Sequence, residues 1–306
     1  MPCYHPLQAF RSLNKNANGK STVKFNMQLG SSSVKFEPIK VSCGRCIGCR
    51  LERSRQWALR CMHESSLYSR NCFITLTYNP ESLPKDGSLN LRHFQLFLKR
   101  LRKKFGNGIR FFHCGEYGEK NFRPHYHACI FNFDFDDKVL WKSNNGVKLY
   151  TSQNLDDLWS DPDTGRSLGF TTVGDVTFES AAYVARYITK KINGDKAPEH
   201  YQGKKPEYIT MSRRPGIGRG WYEKFKSDCY PSDFLVHDGK KMKPPKFYDR
   251  CFEIDSPEEF ALIKLNRELK TKVAAADNTP DRLKVKEIVK KSHFKQLKRT
   301  YESGET

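Results

Sequence analysis

Helical and strand-like patterns of apolar residues divide the chain. From Leu51 to about Tyr68 helix formers dominate, and Ala58, Cys61, Met62 and Ser65 recur at helical spacing around Trp57, which predicts a helix. The β-branched and aromatic run from Cys72 to Tyr78 stops at Asn79-Pro80, as a strand entering a turn does. Asn90 can cap a second helix whose apolar stripe is Leu91, Phe94, Leu98, Leu101 and Phe105, with Arg92, Lys99, Arg100, Arg102, Lys103 and Lys104 on other faces. Two further strands, Ile109 to Glu116 and Tyr126 to Phe133, flank a connection containing Gly, Asn and Pro, which suggests antiparallel neighbours. Ser180 precedes a third helix from Ala181 to about Ile192, with Ala181, Val184, Ile188 and Ile192 as its buried stripe.

The order strand, helix, strand, strand, helix predicts an α+β fold of split βαβ or ferredoxin-like type: an antiparallel sheet with helices packed on it. Residues 1–50 read as an irregular, cysteine-rich lead-in and 51–195 as the folded core. Residues 196–306 form a basic region, loop-like to Pro245 and then helical, with helix starts at Ser256-Pro-Glu-Glu and at Pro280.

Composition narrows the function classes. The 306 residues carry 54 Lys and Arg against 34 Asp and Glu, a net charge of +20, and 13% are aromatic; a folded, basic chain of this kind expects a polyanionic partner. No apolar run is long enough for a bilayer span, so no membrane association is expected. Ten cysteines without a secretory signal read as reduced thiols or metal ligands.

Arg123-Pro-His125-Tyr-His127 heads a predicted strand, where residues two apart project to one face and two imidazoles can grip one metal ion. Glu116, on the preceding strand, could add a carboxylate and leave positions open for a phosphate oxygen and water. A lone His-x-His is weak evidence, since two surface histidines can simply alternate. Tyr183 and Tyr187, four apart, stack on one helix face about 40° from each other. A phenol near pKa ~10 needs a nearby cation to act as a nucleophile, and Lys190 or Lys191 follows one turn on. The plain alternative is a pair of aromatics at the core edge.

Cys43, Cys46 and Cys49 have two Cys-x-x-Cys spacings suited to tetrahedral zinc, with Cys3, His5 or Cys61 as fourth ligand. The segment Asn14 to Ser21 approximates a phosphate-binding loop, but the required first glycine is Asn14, so it reads as a turn and the chain shows no helicase motor. Arg213 and Arg214, in the Gly-rich stretch to Gly220, could meet DNA phosphates. The C-terminal lysines offer either a DNA contact or a solvated face.

Taken together, the strand Phe73 to Tyr78, the Arg123 to His127 motif and the tyrosine helix Tyr183 to Lys190 resemble the three motifs of the HUH endonuclease superfamily, in its two-tyrosine form. Met1-Pro-Cys3, the run Cys43 to Trp57 and the segment Met211 to Gly218 resemble the replication initiation proteins of gokushovirus-type microviruses, small single-stranded DNA phages. The resemblance covers Met1 to about Gly218. It implies an HUH-nuclease core and an enzyme that nicks one strand at the phage origin, stays on the 5′ phosphate through a tyrosine and leaves a 3′ hydroxyl to prime rolling-circle synthesis. His125, His127 and Glu116 would hold Mg²⁺ or Mn²⁺, with Glu119 close by as an alternative to Glu116. Tyr183 and Tyr187 would act alternately, assisted by Lys190. Arg123, Lys191, Arg213 and Arg214 would touch single-stranded and nicked double-stranded origin DNA. The expected setting is the cytoplasm of the bacterial host, with host helicase and DNA polymerase as partners. A plasmid initiator, relaxase or transposase of the same superfamily is a rival reading; so is a zinc-stabilised nucleic-acid-binding protein without catalysis.

Overall fold

The computed structural model describes residues 3–16, 21–26, 35–118, 121–144, 146–190 and 197–296, with backbone alone at 144 and 187–190. The described residues form two compact units, one of those up to Glu52 with those from Leu269 to Gln296, the other running from Arg53 to Glu268.

In chain order the strands and helices are β1 (Leu7–Lys15), β2 (Ser21–Lys24), β3 (Phe36–Val41), α1 (Ile47–Ser65), β4 (Asn71–Leu76), α2 (Leu91–Phe105), β5 (Arg110–Tyr117), β6 (Pro124–Phe131), β7 (Val139–Asn144), β8 (Val147–Thr151), α3 (Gln153–Leu158), β9 (Thr171–Gly174), α4 (Phe178–Lys190), α5 (Ala197–Tyr201), β10 (Tyr208–Met211), α6 (Arg219–Phe225), β11 (Leu235–His237), β12 (Lys240–Met242), α7 (Lys246–Asp255), α8 (Pro257–Val273) and α9 (Pro280–Lys295).

The first unit corrects an expectation. Residues read as irregular hold a three-stranded antiparallel sheet, β2-β1-β3, with Leu7 opposite Val41 and Phe10 opposite Lys24. Only Ala9 and Ser12 of β1 are buried, so the strand lacks the regular apolar alternation that would have announced it.

The larger unit is built on a seven-stranded antiparallel sheet in the order β10-β5-β6-β4-β9-β8-β7, which bears out the α+β expectation. Its central strands are covered on both faces. Helix α2 brings Phe94, Phe97, Leu98 and Leu101 against Ile74, Leu76, Tyr126 and Ile130 on one face. On the other, Ala58 and Cys61 of α1 and Ala181 and Val184 of α4 meet Phe73, Phe112, Cys129 and Phe131. Double coverage explains why β5 and β6 read as continuous apolar runs rather than as alternations.

The expected Asn90 cap is present: its side chain accepts from Arg92 N–H. Phe105, the last residue of the predicted stripe, is instead 39% exposed against Phe133 at 4.8 Å. Helix α4 starts three residues earlier than Ser180 suggested. Thr177 Oγ1 accepts from Ser180 N–H at 3.1 Å while Ser180 Oγ accepts from Thr177 N–H at 2.8 Å, a reciprocal cap.

The stretch read as loop-like to Pro245 also holds structure. Strand β10 joins the large sheet as an edge beside β5, and α6 and α7 with α8 enclose a further core of Trp221, Tyr222, Tyr248, Phe252, Phe260 and Ile263. The two C-terminal helices begin where Pro257 and Pro280 predicted.

Candidate active site and cysteine cluster

Antiparallel register places Glu116 of β5 directly opposite His125 of β6, with His127 two residues on and facing the same way. Glu116 Oε1 lies 2.8 Å from His125 Nε2 and 2.9 Å from His127 Nε2. All three residues are buried.

The other ring nitrogens have partners of their own. His125 Nδ1 is 3.2 Å from the Arg123 carbonyl, and His127 Nδ1 is 2.9 Å from Thr75 Oγ1 on β4. A carbonyl can only accept, so in the contact with Arg123 it is His125 Nδ1 that donates, which leaves Nε2 facing Glu116. Two imidazole nitrogens lie within 3 Å of one carboxylate oxygen, a cluster that can share a proton or hold a metal ion. Burial opposes ionisation of Glu116, but the charges and hydrogen bonds of His125 and His127 outweigh it and hold the carboxyl below its ordinary value. Its second oxygen, Oε2, is buried with no hydrogen-bond partner among the described residues, a free ligand atom. The donor set of two imidazoles and a carboxylate could hold a divalent metal ion.

Tyr183, reaching from α4, donates its O–H to Glu116 Oε1 at 3.3 Å, and its ring meets His127 edge-on at 5.0 Å. It is 4% exposed, and the Arg186 guanidinium lies 5.4 Å from its ring centre. Tyr187 and Lys190 belong to α4, but their side chains lie outside the described residues, as do Lys191 and Glu119 altogether.

In the other unit, the sulfurs of Cys3, Cys43, Cys46 and Cys49 all lie within 4.8 Å of one another. Backbone N–H groups point at them: Cys43 N–H to Cys3 Sγ at 3.3 Å, Cys46 N–H to Cys43 Sγ at 3.4 Å and Tyr4 N–H to Cys46 Sγ at 3.4 Å. Burial opposes ionisation of Cys43, yet the N–H groups of Cys46 and Arg45 and the neighbouring thiols bring it down to about 7. Of the three candidates for fourth ligand, Cys3 is the one in place. His5 is bonded to Glu287 at 2.7 Å, and Cys61 is buried in the core of the other unit.

The family described as replication-associated protein ORF2/G2P matches residues 71–192, the span from β4 past α4 that holds the triad and both tyrosines. Replication-associated protein VP4 of Bdellovibrio phage phiMH2K is 33% identical across 97% of this chain and 98% of its own. The chain belongs to the phage replication-associated protein family. Two more members are similar: ORF2 of Spiroplasma virus 4, 34% identical over 88% of this chain and 86% of that protein, and ORF4 of Chlamydia phage 1, 30% identical over 72% and 55%. No solved structure matches. Membership ties the chain to phage replication. No helix among the described residues is long and apolar enough to cross a membrane.

The arginines expected on DNA fall in two places in this family member. Arg123 donates to the Tyr78 carbonyl at 2.8 Å, tying the start of β6 to the end of β4. Arg213 and Arg214 are exposed at the tip of the loop after β10, away from the triad end of β5, since Met211 pairs with Phe112. That loop is held from beneath: Arg60 donates to the Ile217 carbonyl at 3.0 Å, Arg110 to the Pro215 carbonyl at 2.7 Å, and Gly218 N–H to Glu64 at 2.6 Å. Gly218 has φ +77°, and a Cβ there would sit 2.6 Å from the Tyr248 hydroxyl, so the turn requires glycine.

Sequence reasoning missed Thr75, which fixes the His127 ring, and Ser54, whose hydroxyl donates to the Ala182 carbonyl at 2.8 Å and pins α4. Thr75 was findable: on a strand read as Phe-Ile-Thr-Leu-Thr it is one of two polar residues, with Thr77, sharing a face with Phe73.

Proposed function

We propose that this chain is a metal-dependent, origin-specific single-strand DNA endonuclease and strand transferase of the HUH type that initiates rolling-circle replication. The observation that carries the proposal is the convergence of Tyr183 Oη on Glu116 Oε1 at 3.3 Å, beside the two imidazoles. His125, His127 and Glu116 would hold Mg²⁺ or Mn²⁺, which when bound draws negative charge from a scissile phosphate. The tyrosine oxygen forms a bond to phosphorus, the bond to the 3′ oxygen breaks, and the phenolic proton is balanced by the one the 3′ hydroxyl gains. Tyr187, one turn along α4, takes the second transfer when the regenerated origin is cut, with Lys190 offsetting the charge on the phenolate. Arg123, Lys191, Arg213 and Arg214 contact single-stranded and nicked double-stranded origin DNA. Cys3, Cys43, Cys46 and Cys49 hold a structural Zn²⁺, because four thiolates are too soft for the nicking metal. Host helicase and polymerase extend the primer in the bacterial cytoplasm.

The near-complete burial of Tyr183 favours one rival, a nucleic-acid-binding protein in which this phenol is only structural. Both readings meet the same test. Labelled single-stranded oligonucleotides tiling the encoding genome are incubated with protein and Mn²⁺, then boiled in denaturant. A covalent adduct is expected from the wild type, a reduced one from Tyr183→Phe and from Tyr187→Phe, and none from the double variant. Phe keeps the ring and its packing, so the loss reads on the hydroxyl. No wild-type adduct on any oligonucleotide, or a full adduct from the double variant, removes the tyrosine nuclease reading.

A further inference from the structure

Strand β7 closes one edge of the large sheet, and there an indole lies open to solvent. Trp141 is 42% exposed, whereas Trp159 and Trp221 are buried and Trp57 is partly covered. It packs on Phe170, itself 45% exposed, at 4.8 Å between ring centres and 60° between planes, and Lys142 Nζ stands 5.7 Å from the indole. Two large aromatics left more than two-fifths exposed beside a cation, in a chain of net charge +20, offer ring surface on which a base could stack.

Their position follows from register. Thr172 of β9 lies opposite Thr75 of β4, and Thr75 lies opposite His127 of β6. Residues directly opposite share a face, as do residues two apart. Phe170, two before Thr172, is therefore on the face that carries His127. Its carbonyl accepts from Thr77 N–H at 3.0 Å and Thr77 Oγ1 at 2.8 Å, so it is level with the end of β4, where the triad lies. From β6 to β9 is two strand spacings, about 10 Å, or about three stacked nucleotides of one strand.

We infer that Trp141 and Phe170 form a stacking platform for unpaired bases of a DNA single strand whose backbone crosses the Glu116, His125 and His127 site. The inference rests on the nuclease reading for the strand's path, but the platform binds bases without any cleavage. Stacking is indifferent to base identity, so the platform positions the strand while sequence is read elsewhere.

Equilibrium binding in EDTA, where chemistry plays no part, separates the two ideas. An oligothymidylate should quench the exposed tryptophan in the wild type and not in Trp141→Ala. Trp141→Ala and Phe170→Ala should each weaken its binding by about tenfold or more, and Trp141→Phe by less. An abasic oligonucleotide of the same length keeps the phosphates and lacks the bases, and should bind wild type and variants alike. Unchanged oligothymidylate affinity in both alanine variants overturns the platform. So does an equal loss toward the abasic strand, which would mean general damage. A wild-type dimer made monomeric by Trp141→Ala without loss of DNA affinity would overturn it too, reassigning β7 to contact with a second copy. Stacking without any tyrosine adduct would leave the platform standing and remove the nuclease reading; an adduct with no effect of Trp141→Ala would do the reverse.

Discussion

His63 and His127 are both buried, yet their ring nitrogens meet different company. His127 stands between a threonine hydroxyl and a carboxylate, whereas His63 stacks on Trp221 at 3.6 Å and takes the Tyr248 hydroxyl on Nδ1 at 2.9 Å. With no carboxylate paired to it, burial drives His63 down from the ordinary 6.5 to about 3, so it is neutral in the folded protein. In the unfolded chain it protonates near 6.5. Between these two values the unfolded state binds the extra proton, so stability is fully present above about 6.5 and falls as pH drops toward 3, by at most about 1.4 kcal/mol per pH unit from this group. Urea unfolding at pH 7 and pH 5 checks it: the wild type should lose more stability than His63→Gln, and equal losses would locate the proton uptake elsewhere. Local pattern singles out only one of these two histidines in the sequence. His125 and His127 were legible because they are a pair at strand spacing; His63 sits singly in a helix, and its partners come from residues 221 and 248.

At the scale of elements, what was legible was what is local. The cap of α2, the facing of β6 and the starts of α8 and α9 each rest on a few adjacent residues. Strands β1, β7 and β10 escaped notice because their pairing supplies what their own composition lacks: β10 is four residues long and gains its place from β5, almost a hundred residues earlier. The cysteine cluster lies between these cases. Its Cys-x-x-Cys spacings were visible, but the choice of Cys3 depends on the pairing of β1 with β3, which brings Leu7 opposite Val41 and so draws together the segments just outside the two strands. Cys49 lies in the first turn of α1 and Cys46 just before it, and that turn has no acidic residue to oppose thiolates at its positive end. A zinc ion would thus clasp both strand ends to the helix. Elemental analysis of protein purified without added metal should find one zinc per chain. Cys46→Ser should lose it and speed amide exchange in β1 and β3 while leaving β5 and β6 protected. A folded, zinc-free wild type would return the four residues to plain thiols.

For the whole molecule, the nuclease reading divides binding, by a chain of net charge +20, from cutting at the buried triad. Some lysines have acidic partners already counted in that net charge: on α9, Lys286 pairs with Asp277, Lys284 with Asp281 and Lys291 with Glu287. The excess belongs to the surface, where each phosphate neutralised releases counterions and steepens the fall of affinity with salt, by about 0.7 in log K per contact on a single strand for each tenfold rise in salt. The triad adds little to that sum, since it is buried and the carboxylate of Glu116 lies against both imidazoles. His127→Ala should therefore abolish nicking in Mn²⁺ while leaving single-strand affinity within about twofold, with the same dependence on salt as the wild type. Affinity titrations from low to moderate salt, run beside a cleavage assay, read both quantities on one preparation. A shallower salt slope in His127→Ala would mean that a phosphate is held at the triad strongly enough to matter for binding. Undiminished cleavage would mean that the phosphate is activated somewhere else, and the division of labour between surface charge and buried site would fall with it.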